Sequence, residues 1–347
     1  LDSFVRSAVG TGNLTAHNEP QEADVFIIAV PTPLTEEREP RMEYVWQAAR
    51  SIAPKLKPGN MVVLESTSPV GTTERVEEIL LEEGVDVSDI HVAHCPERVL
   101  PGRIMIELSE NDRIVGGTTE EATGRVAEFY RRFVVGEVLE TTARTAEMTK
   151  LVENASRDVQ IAFANELSMI SDRYSVDVWE VIDLANHHPR VNILKPGPGV
   201  GGHCIAVDPW FIVHSAPEDT ALIRTARERN NEKTLWVIQK IKEWAEAFQA
   251  GSGRKPVIGI MGLAYKQDID DLREAPALGI ARALNGEGHT LAVCEPNLRS
   301  HEEFDLVTTE QAVAKSDVLV FLVSHKPFRE LEAGQKPVLD FCGARRG

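Results

Sequence analysis

Cysteine is scarce in this sequence. Its 347 residues include four cysteines, Cys95, Cys204, Cys294 and Cys342, and no two of them form a Cys-x-x-Cys pair. Such wide spacing favours neither a disulfide framework nor a zinc site, so we predict reduced thiols and no bound metal.

Basic runs and long apolar segments are lacking as well. The net charge of −17 opposes binding to nucleic acid, and no cluster of Lys and Arg offsets it. No stretch approaches the roughly 18 consecutive apolar residues of a membrane span, and the chain does not open with a signal peptide. We therefore expect a cytoplasmic protein that binds neither nucleic acid nor membranes.

A glycine fingerprint is missing from the front of the chain. Residues 1–141 have the strand pattern of a nucleotide-binding half, yet no Gly-x-Gly-x-x-Gly follows a strand there. Gly10 and Gly12 do not substitute for it, because no apolar strand precedes them and no third glycine follows. Either the opening strand, turn and helix are truncated, or this half does not bind a dinucleotide in the usual way; we favour truncation.

Short apolar runs alternate with helical segments in both end regions, 1–141 and 250–347. The runs of the first region lie at 23–30, 61–65, 90–94 and 112–117. Such alternation predicts a doubly wound parallel sheet with ligand loops after its strands. Residues 142–249 instead carry long helical patterns, at about 145–174 and 222–249, which predict a linking helical domain and a surface for dimers.

One segment is too rich in glycine and proline for a regular element. Residues 195–202 hold four glycines and two prolines, and they lead to Cys204 and then Asp208. Exposed backbone N–H groups in such a loop suit an anionic or polyhydroxylated ligand, and a cysteine at its edge is a candidate nucleophile. The alternative is a structural turn before a buried, inert cysteine, and these residues alone do not decide between the two.

Other candidates lie on the long helix and in loops after strands. Lys150 and Asn154 are four residues apart and therefore lie on one helix face. An ammonium and an amide in that arrangement can stabilise an oxyanion or orient a water. The alternative is an ordinary solvent-exposed helix face, which has the same pattern. Thr67 and Glu97 follow apolar strands. This position suits Thr67 to a hydrogen bond with a bound water and Glu97 to the role of general base; the alternative for each is a structural role in a turn or a helix cap.

Cations near the second α/β unit and the glycine-rich loop are candidates for anion binding. Lys266 and Arg273 follow a strand and suit phosphate groups, or else form surface ion pairs at a helix start. Arg190, just before the glycine-rich loop, is a candidate clamp for a phosphate or carboxylate.

In combination, six motifs resemble the UDP-glucose/GDP-mannose dehydrogenase family. In chain order they are Ala29-Val-Pro-Thr-Pro33, Glu65-Ser-Thr-Ser-Pro-Val-Gly71, Cys95-Pro-Glu-Arg98, Glu147-Met-Thr-Lys150 with Asn154, Gly201-Gly-His-Cys204 with Asp208, and Gly262-Leu-Ala-Tyr-Lys266 with Asp271-Leu-Arg273. The segments 95–102 and 188–211 look like the branch that oxidises UDP-N-acetyl-D-mannosamine. Pro101 stands where UDP-glucose enzymes usually carry a second glutamate, which favours that branch.

The resemblance implies an α/β fold with two Rossmann-like doubly wound α/β domains joined by a central helical domain with a long helix. It assigns residues 1–141 to NAD binding, 142–249 to dimerisation and the cysteine loop, and 250–347 to the UDP-sugar. It also implies a homodimer with a shared active site, in which Arg190 reaches the neighbouring subunit's substrate. Without the glycine fingerprint, this chain alone is expected to bind NAD weakly or not at all in calorimetry.

The implied chemistry is a four-electron oxidation of the C6 alcohol of a UDP-sugar by NAD⁺, for surface polysaccharide biosynthesis. Cys204 attacks the aldehyde and then carries a thioester, which water hydrolyses. Lys150 stabilises the oxyanion and favours the thiolate.

The remaining residues of the implied site have supporting roles. Asn154 and Asp208 position the lysine and the water, and Thr67 and Glu97 support proton transfer and hydrolysis. The implied contacts to the cofactor come from Val30, Pro31, Thr32, Thr67 and Arg273. Those to the sugar nucleotide come from Glu97, Arg98, Val99, Lys150, Asn154, Arg190, Asn192, Gly199, Gly202, Tyr265 and Lys266.

Two alternatives remain open from the sequence. In one, the same chemistry acts on UDP-N-acetylglucosamine or UDP-glucose. In the other, the protein is a catalytically inactive nucleotide-sugar-binding protein. The missing fingerprint alone supports the inactive protein, and intact Cys204, Lys150 and Asp208 argue against it.

Overall fold

Two sheets of short, buried strands organise the chain in the computed structural model, which describes residues 2–99 and 104–345. The chain divides into two units. The first is Leu1–Glu153 with Trp210–Pro217, and the second is Asn154–Pro209 with Glu218–Gly347.

The first unit alternates strands with helices. Its elements are α1 (Asp2–Gly10), β1 (Val25–Ile28), α2 (Glu43–Ile52), β2 (Met61–Leu64), α3 (Thr72–Glu82), β3 (His91–His94), α4 (Ile104–Glu110), β4 (Arg113–Gly117), α5 (Glu120–Tyr130), β5 (Val138–Thr142) and the start of α6 (Ala143–Arg173), with residues 210–217 from a later helix. The sheet has the order β1-β2-β3-β4-β5.

Alternate residues of β2 pack on opposite faces of this sheet. Val62 and Leu64 join side chains of α2 and α3 in one core, and Val63 joins Val126 of α5 in another. Burial on both faces explains why the strands are continuous apolar runs instead of alternating ones. The predicted sheet with helices on both sides is therefore confirmed.

The pairing of β3 with β4 differs from the predicted parallel arrangement. The strands from β1 to β3 are parallel, as are β4 and β5, but β3 and β4 run antiparallel with Ala93 opposite Gly117. A parallel return needs a crossover, usually through a full helix, whereas the described part of this connection holds only α4, seven residues long. The absence of a long helical pattern between these strands was the available sequence signal.

Strand β5 escapes sequence prediction because it lies at the edge of the sheet. Its sequence Val-Leu-Glu-Thr-Thr is largely exposed, so no apolar run marks it. A Cβ at Gly116 would lie 2.2 Å from the Thr142 carbonyl oxygen. Glycine at this position of β4 therefore permits the close approach to the end of β5.

The second unit combines long helices with a smaller sheet. Its elements are the rest of α6, α7 (Val178–Asn186), the first two residues of α8 (Asp208–Ser215), α9 (Ala221–Ser252), β6 (Val257–Met261), α10 (Pro276–Gly286), β7 (Thr290–Cys294), α11 (Thr309–Lys315), β8 (Val318–Phe321), α12 (Lys326–Arg329) and β9 (Val338–Asp340). The strands are all parallel, in the order β7-β6-β8-β9. Because β6 lies between β7 and β8, the strand order reverses there, which is where such sheets open a crevice.

Helices cover both faces of the second sheet. Val237 and Ile241 of α9 lie four residues apart and pack with Ile258 of β6. On the opposite face, Phe321 packs with Phe328 of α12. The two Rossmann-like α/β sheets and the long central helix confirm the predicted fold class. In the described parts of the chain, no helix has the length and apolarity that crossing a bilayer requires.

Candidate active site

Cys204 lies at the end of the glycine-rich loop, one turn before α8. Its side chain is half-buried, and its carbonyl oxygen accepts the amides of Val207 and Asp208 at 3.0 and 2.8 Å. Asp208, 3% exposed, begins α8, and its Oδ2 accepts a hydrogen bond from Asn154 Nδ2 at 2.5 Å. The structure therefore brings together three of the predicted residues, with the carboxylate held against α6 and the thiol one turn away.

Glycines in this loop allow it to lie directly on the predicted ligand residues that follow β6. Gly202 has φ +82°, a Cβ there would lie 3.0 Å from the Tyr265 ring, and its N–H donates to the Arg273 carbonyl oxygen at 3.1 Å. The Arg273 guanidinium pairs with Asp271 at 2.6 Å and lowers the pKa of that carboxyl group. Burial raises the pKa of Tyr265, and the charges of Asp271 and Cys204 add to the increase.

Three predicted ligand residues remain at the surface. Arg190 and Asn192 are exposed on the segment after α7, and Lys266 is exposed next to Tyr265. Their predicted contacts to the sugar nucleotide therefore stay predictions.

Lys150 lies in the part of α6 that belongs to the first unit, where it contacts the loop after β3. Its Nζ donates to the Glu97 carbonyl oxygen at 2.7 Å. The Glu97 carboxylate turns back to accept the amide of Val99 at 2.5 Å, and Arg98 pairs with Glu153 at 2.7 Å. The loop therefore presents its backbone to the ammonium, while the Glu97 carboxylate bonds within the loop and Arg98 pairs with α6. Pro101, whose interpretation favoured one branch of the family, lies outside the described residues.

Glu147, one turn before Lys150 in α6, holds the loop that leads into α3. Its fully buried carboxylate accepts the amide of Gly71 at 2.6 Å and both the amide and hydroxyl of Thr73, at 2.7 and 2.6 Å. Burial raises the pKa of Glu147, and these hydrogen bonds oppose the increase. Glu147 belongs to one of the motifs that the sequence analysis recognised, but the sequence indicated no role for it. Its donors lie more than 70 residues away, so no local signal identifies them.

The carboxyl edge of the first sheet carries buried polar groups both with and without partners. Ser66 Oγ accepts the amide of Val30 and donates to its carbonyl oxygen, both at 2.8 Å, which fixes the loop after β1. The buried Ser68 Oγ and both ring nitrogens of His94 make no hydrogen bond of ordinary geometry with any described residue. Burial lowers the pKa of His94 to about 3, so its ring is neutral. Unpaired polar groups at this edge fit a polar ligand such as a dinucleotide.

The carboxyl edge of the second sheet is closed by its own side chains. Glu295 follows β7 and is 3% exposed; its Oε2 accepts the amides of Leu263 and Ala264 at 2.8 and 3.1 Å. The Nε2 of the fully buried His325 lies 3.0 Å from the same oxygen. Burial alone would raise the pKa of Glu295, but His325 and the backbone donors hold it below its usual value. Sequence reasoning missed this pair.

Two Rossmann-like sheets and a cysteine beside a buried aspartate are features of a nucleotide-dependent dehydrogenase. Sequence models of three domains of one family match the chain: an NAD binding domain at 1–134, a central domain at 144–232 and a UDP binding domain at 259–343. The chain therefore belongs to the UDP-glucose/GDP-mannose dehydrogenase family. It is an NAD-dependent nucleotide-sugar dehydrogenase, as the motifs indicated.

Relatives resemble the chain over nearly its whole length. An NDP-N-acetyl-D-galactosaminuronic acid dehydrogenase from Ralstonia solanacearum is 52% identical over 346 residues, which are 96% of this chain and 81% of that protein. A UDP-N-acetyl-D-mannosamine dehydrogenase from Campylobacter jejuni is 50% identical over 360 residues, 99% of this chain and 87% of that protein. The solved structure of a UDP-D-ManNAc dehydrogenase from Pyrococcus horikoshii has a TM-score of 0.89 at 36% identity, covering 99% of this chain and 84% of that one.

Proposed function

We propose that this protein oxidises the C6 alcohol of UDP-N-acetyl-D-mannosamine to the uronate in two steps, with Cys204 as nucleophile, for surface polysaccharide biosynthesis. The observation that carries the proposal is the cluster of Cys204, Asp208 and Asn154. A half-buried thiol one turn from an oriented carboxylate suits covalent capture of an aldehyde. The thiohemiacetal retains the aldehyde between the two oxidations, and the thioester retains the fully oxidised carbon until water releases it.

The covalent steps begin from the C6 aldehyde, the product of the first oxidation. The Cys204 sulfur adds to the C6 aldehyde, and the aldehyde oxygen gains a proton to give a thiohemiacetal. Loss of a hydride from C6 and a proton from its oxygen leaves a thioester. Water then adds to the thioester carbonyl, the C–S bond breaks, and the carboxylate departs as the thiol reforms. The sum consumes one alcohol, one water and two NAD⁺, and yields one carboxylate, two NADH and three protons.

NAD⁺ supplies the hydride acceptor for each oxidation. The residues that would hold it are Val30, Pro31, Thr32 and Thr67 in the loops after β1 and β2, and Arg273. The Ser66 hydroxyl already fixes the backbone of Val30, so the first of these loops is preorganised.

The supporting roles follow from the chemistry of each side chain. The Lys150 ammonium, one helical turn before Asn154, suits the oxyanion that forms when sulfur or water adds to the carbonyl. Asn154 orients Asp208, whose carboxylate positions the hydrolytic water. Glu97 and Thr67 support proton transfer.

The sugar nucleotide is assigned to the glycine-rich loop and the segment after β6. Gly199, Gly202, Tyr265 and Lys266 would contact it in the second unit, and Glu97, Arg98, Val99, Lys150, Asn154, Arg190 and Asn192 would complete the set. In this proposal residues 1–141 bind NAD, 142–249 hold the cysteine loop, and 250–347 bind the UDP-sugar.

The proposed homodimer rests on exposed apolar residues of α6. Phe163 and Ile170 lie seven residues apart on one face of α6 and are 55% and 45% exposed, and Tyr174, directly after the helix, is 72% exposed. A second copy of the chain would cover this stripe and receive Arg190 at its substrate. Light scattering of the purified protein should give twice the monomer mass, and a monomer at micromolar concentration would contradict the proposal.

The sugar is the least constrained part of the function. The Campylobacter jejuni relative favours N-acetylmannosamine, while the Ralstonia solanacearum relative makes an N-acetylgalactosamine substrate a second candidate. NADH release should be measured, in a protein whose NAD-binding half carries the glycine fingerprint, with the UDP derivatives of N-acetylmannosamine, N-acetylgalactosamine, N-acetylglucosamine and glucose. The highest kcat/KM is expected for N-acetylmannosamine, with two NADH per sugar. A preference for another sugar corrects the substrate, and absence of turnover with all of them sinks the proposal.

The nucleophile is tested by Cys204→Ala. Removing the sulfur should lower kcat for uronate formation by at least about a thousandfold, because the covalent route is lost. Cys342→Ala, which removes a half-buried cysteine outside the cluster, is the matched control and should turn over normally. Full uronate release from the Cys204 variant at the wild-type rate excludes the thioester mechanism.

A further inference from the structure

The glycine-rich loop is held from behind by side chains of two long helices. Asn165 of α6 accepts the amide of Gly197 on Oδ1 at 2.9 Å. Thr234 of α9 donates its hydroxyl to the Pro198 carbonyl oxygen at 2.9 Å. Both contacts hold the loop backbone, so they fix its path whatever side chains the loop carries.

The loop lies directly on Thr234. Gly199 has φ +145°, and a Cβ built there would lie 2.3 Å from Thr234 Oγ1. At the other end of the loop, a Cβ on Gly201 would lie 2.5 Å from the Glu274 carbonyl oxygen, and Gly202 donates to Arg273. The backbone is therefore restrained on both sides, two residues before Cys204.

The orientation of the Asn165 amide follows from a buried chain of donors and acceptors. The Gly197 N–H only donates, so Asn165 must turn Oδ1 toward it and Nδ2 toward Asn230 Oδ1, at 2.9 Å. Asn230 then donates Nδ2 to Asp158 Oδ1 at 2.8 Å, and Arg227 pairs with the same oxygen at 2.7 Å. All four side chains of this chain are at most 1% exposed, so water does not compete for these bonds.

We propose that Thr234 and Asn165 are positioning residues for Cys204, which set the path of its loop through backbone hydrogen bonds from inside the helix pair. The inference rests on the proposed function, in which the Cys204 sulfur attacks the aldehyde. Neither side chain meets the reacting atoms; each determines where the sulfur lies relative to the Asp208–Asn154 pair. A nucleophile displaced by a fraction of an ångström loses rate in the chemical steps while substrate still binds.

Thr234→Val is the sharpest test, because valine keeps the branched shape and removes the hydroxyl. It should lower kcat by about tenfold, the equivalent of one lost hydrogen bond in the reacting geometry, with the KM for NAD⁺ changed by less than about twofold. Thr234→Ser keeps the donor and should restore kcat. Thr225→Val, an exposed threonine on the same helix, is the control and should behave as wild type.

Alkylation of Cys204 by iodoacetamide, followed by peptide mass spectrometry, measures the reactivity of the thiol. A loss of stability alone does not change this reactivity in the folded protein. The pH midpoint or the limiting rate of alkylation should change in Thr234→Val and return in Thr234→Ser. Wild-type kcat and alkylation in Thr234→Val, or an equal loss in the serine variant, overturns the inference. Cys204→Ala separates the two ideas, because full activity there removes the proposed function itself.

Asn165 provides an independent pair of variants. Asn165→Asp keeps an acceptor for the Gly197 N–H, whereas Asn165→Leu has a similar size and none. The aspartate variant loses the donor to Asn230 but keeps the loop contact, so its kcat should fall less than that of the leucine variant, where a loss of about tenfold or more is expected. Equal losses in the two variants contradict a role through the loop.

Discussion

The carboxyl edges of the two sheets differ in how their buried polar groups are satisfied. At the first, Ser68 and His94 bury atoms that make no hydrogen bond of ordinary geometry with any described residue. At the second, Glu295 fills a cluster of backbone N–H groups and is bonded to His325. A polar ligand that pairs the unsatisfied atoms would stabilise the first edge. At the second edge, the Glu295 carboxylate already accepts the backbone N–H groups.

This difference suggests how one fold serves two purposes in one chain. Backbone N–H groups after the first strand of a Rossmann-like sheet are where a phosphate is usually bound. In the second sheet the carboxylate of Glu295 takes that place, so we expect no phosphate to bind the amides of Leu263 and Ala264.

The largest effect is expected from breaking the Glu295–His325 pair. His325→Leu leaves a buried carboxylate without its side-chain partner and should lower the free energy of unfolding by about 3 to 5 kcal/mol, measured by denaturant titration. The double variant Glu295→Leu with His325→Leu removes both polar groups and should lose less than the sum of the single variants. Strictly additive losses argue against a pair that acts as one unit.

A smaller effect is expected from titrating His94. Burial and the charge of Lys150 hold its pKa near 3 against an ordinary value of 6.5, so the unfolded chain takes up the proton first. Its contribution to stability is present above pH 6.5 and is lost as the pH falls, by about 2 kcal/mol at pH 5. Glu295, whose pKa is lowered, loses its contribution only below its ordinary value of 4.5.

The measurement compares unfolding free energies at pH 7 and pH 5 in wild type and in His94→Phe, which keeps a ring and cannot be protonated. The variant should lose about 2 kcal/mol less between the two pH values. His17→Gln changes an exposed histidine and is expected to leave the dependence unchanged. Identical pH dependence in wild type and His94→Phe would falsify the assignment.

The smallest effects come from two serines in the loop after β2. Ser66 makes two hydrogen bonds to Val30, and Ser66→Ala should cost about 1 to 2 kcal/mol of stability. Ser68 makes none of ordinary geometry, so Ser68→Ala should change stability by less than about 0.5 kcal/mol. In a protein that carries the glycine fingerprint, it should also weaken NAD binding by a few fold. Thermal unfolding and calorimetric titration distinguish them, and a larger stability loss for Ser68→Ala contradicts the contrast.

The site residues that the sequence predicted are those that belong to short motifs or lie one helical turn from such a residue. Asn154 and Asp208 each belong to a recognisable motif, and Lys150 precedes Asn154 by one helical turn. Glu97 was predicted from its place after a strand, and Lys150 does contact it, through the carbonyl oxygen of Glu97. A pattern of residue types identifies the position of a residue but not which of its atoms makes the contact.

The parts that escaped prediction depend on partners distant in the chain. His325 lies 30 residues beyond Glu295, and nothing in the local sequence of either residue indicates the other. The antiparallel β4 likewise depends on how a connection returns, which hydropathy does not specify. Arg98 carries the charge expected of a ligand residue, but its pairing with Glu153 is decided by the loop geometry.

Helix α3 has no side-chain cap of its own, because Gly71 occupies its N-cap position. The acceptor that its first amides need arrives with Glu147, some 75 residues later in the chain. The N-terminal end of α3 is therefore completed by a residue that belongs to another helix, α6. Because Glu147 and Lys150 lie one turn apart on α6, one stretch of this helix both completes the end of α3 and fixes the Lys150 ammonium against the loop after β3.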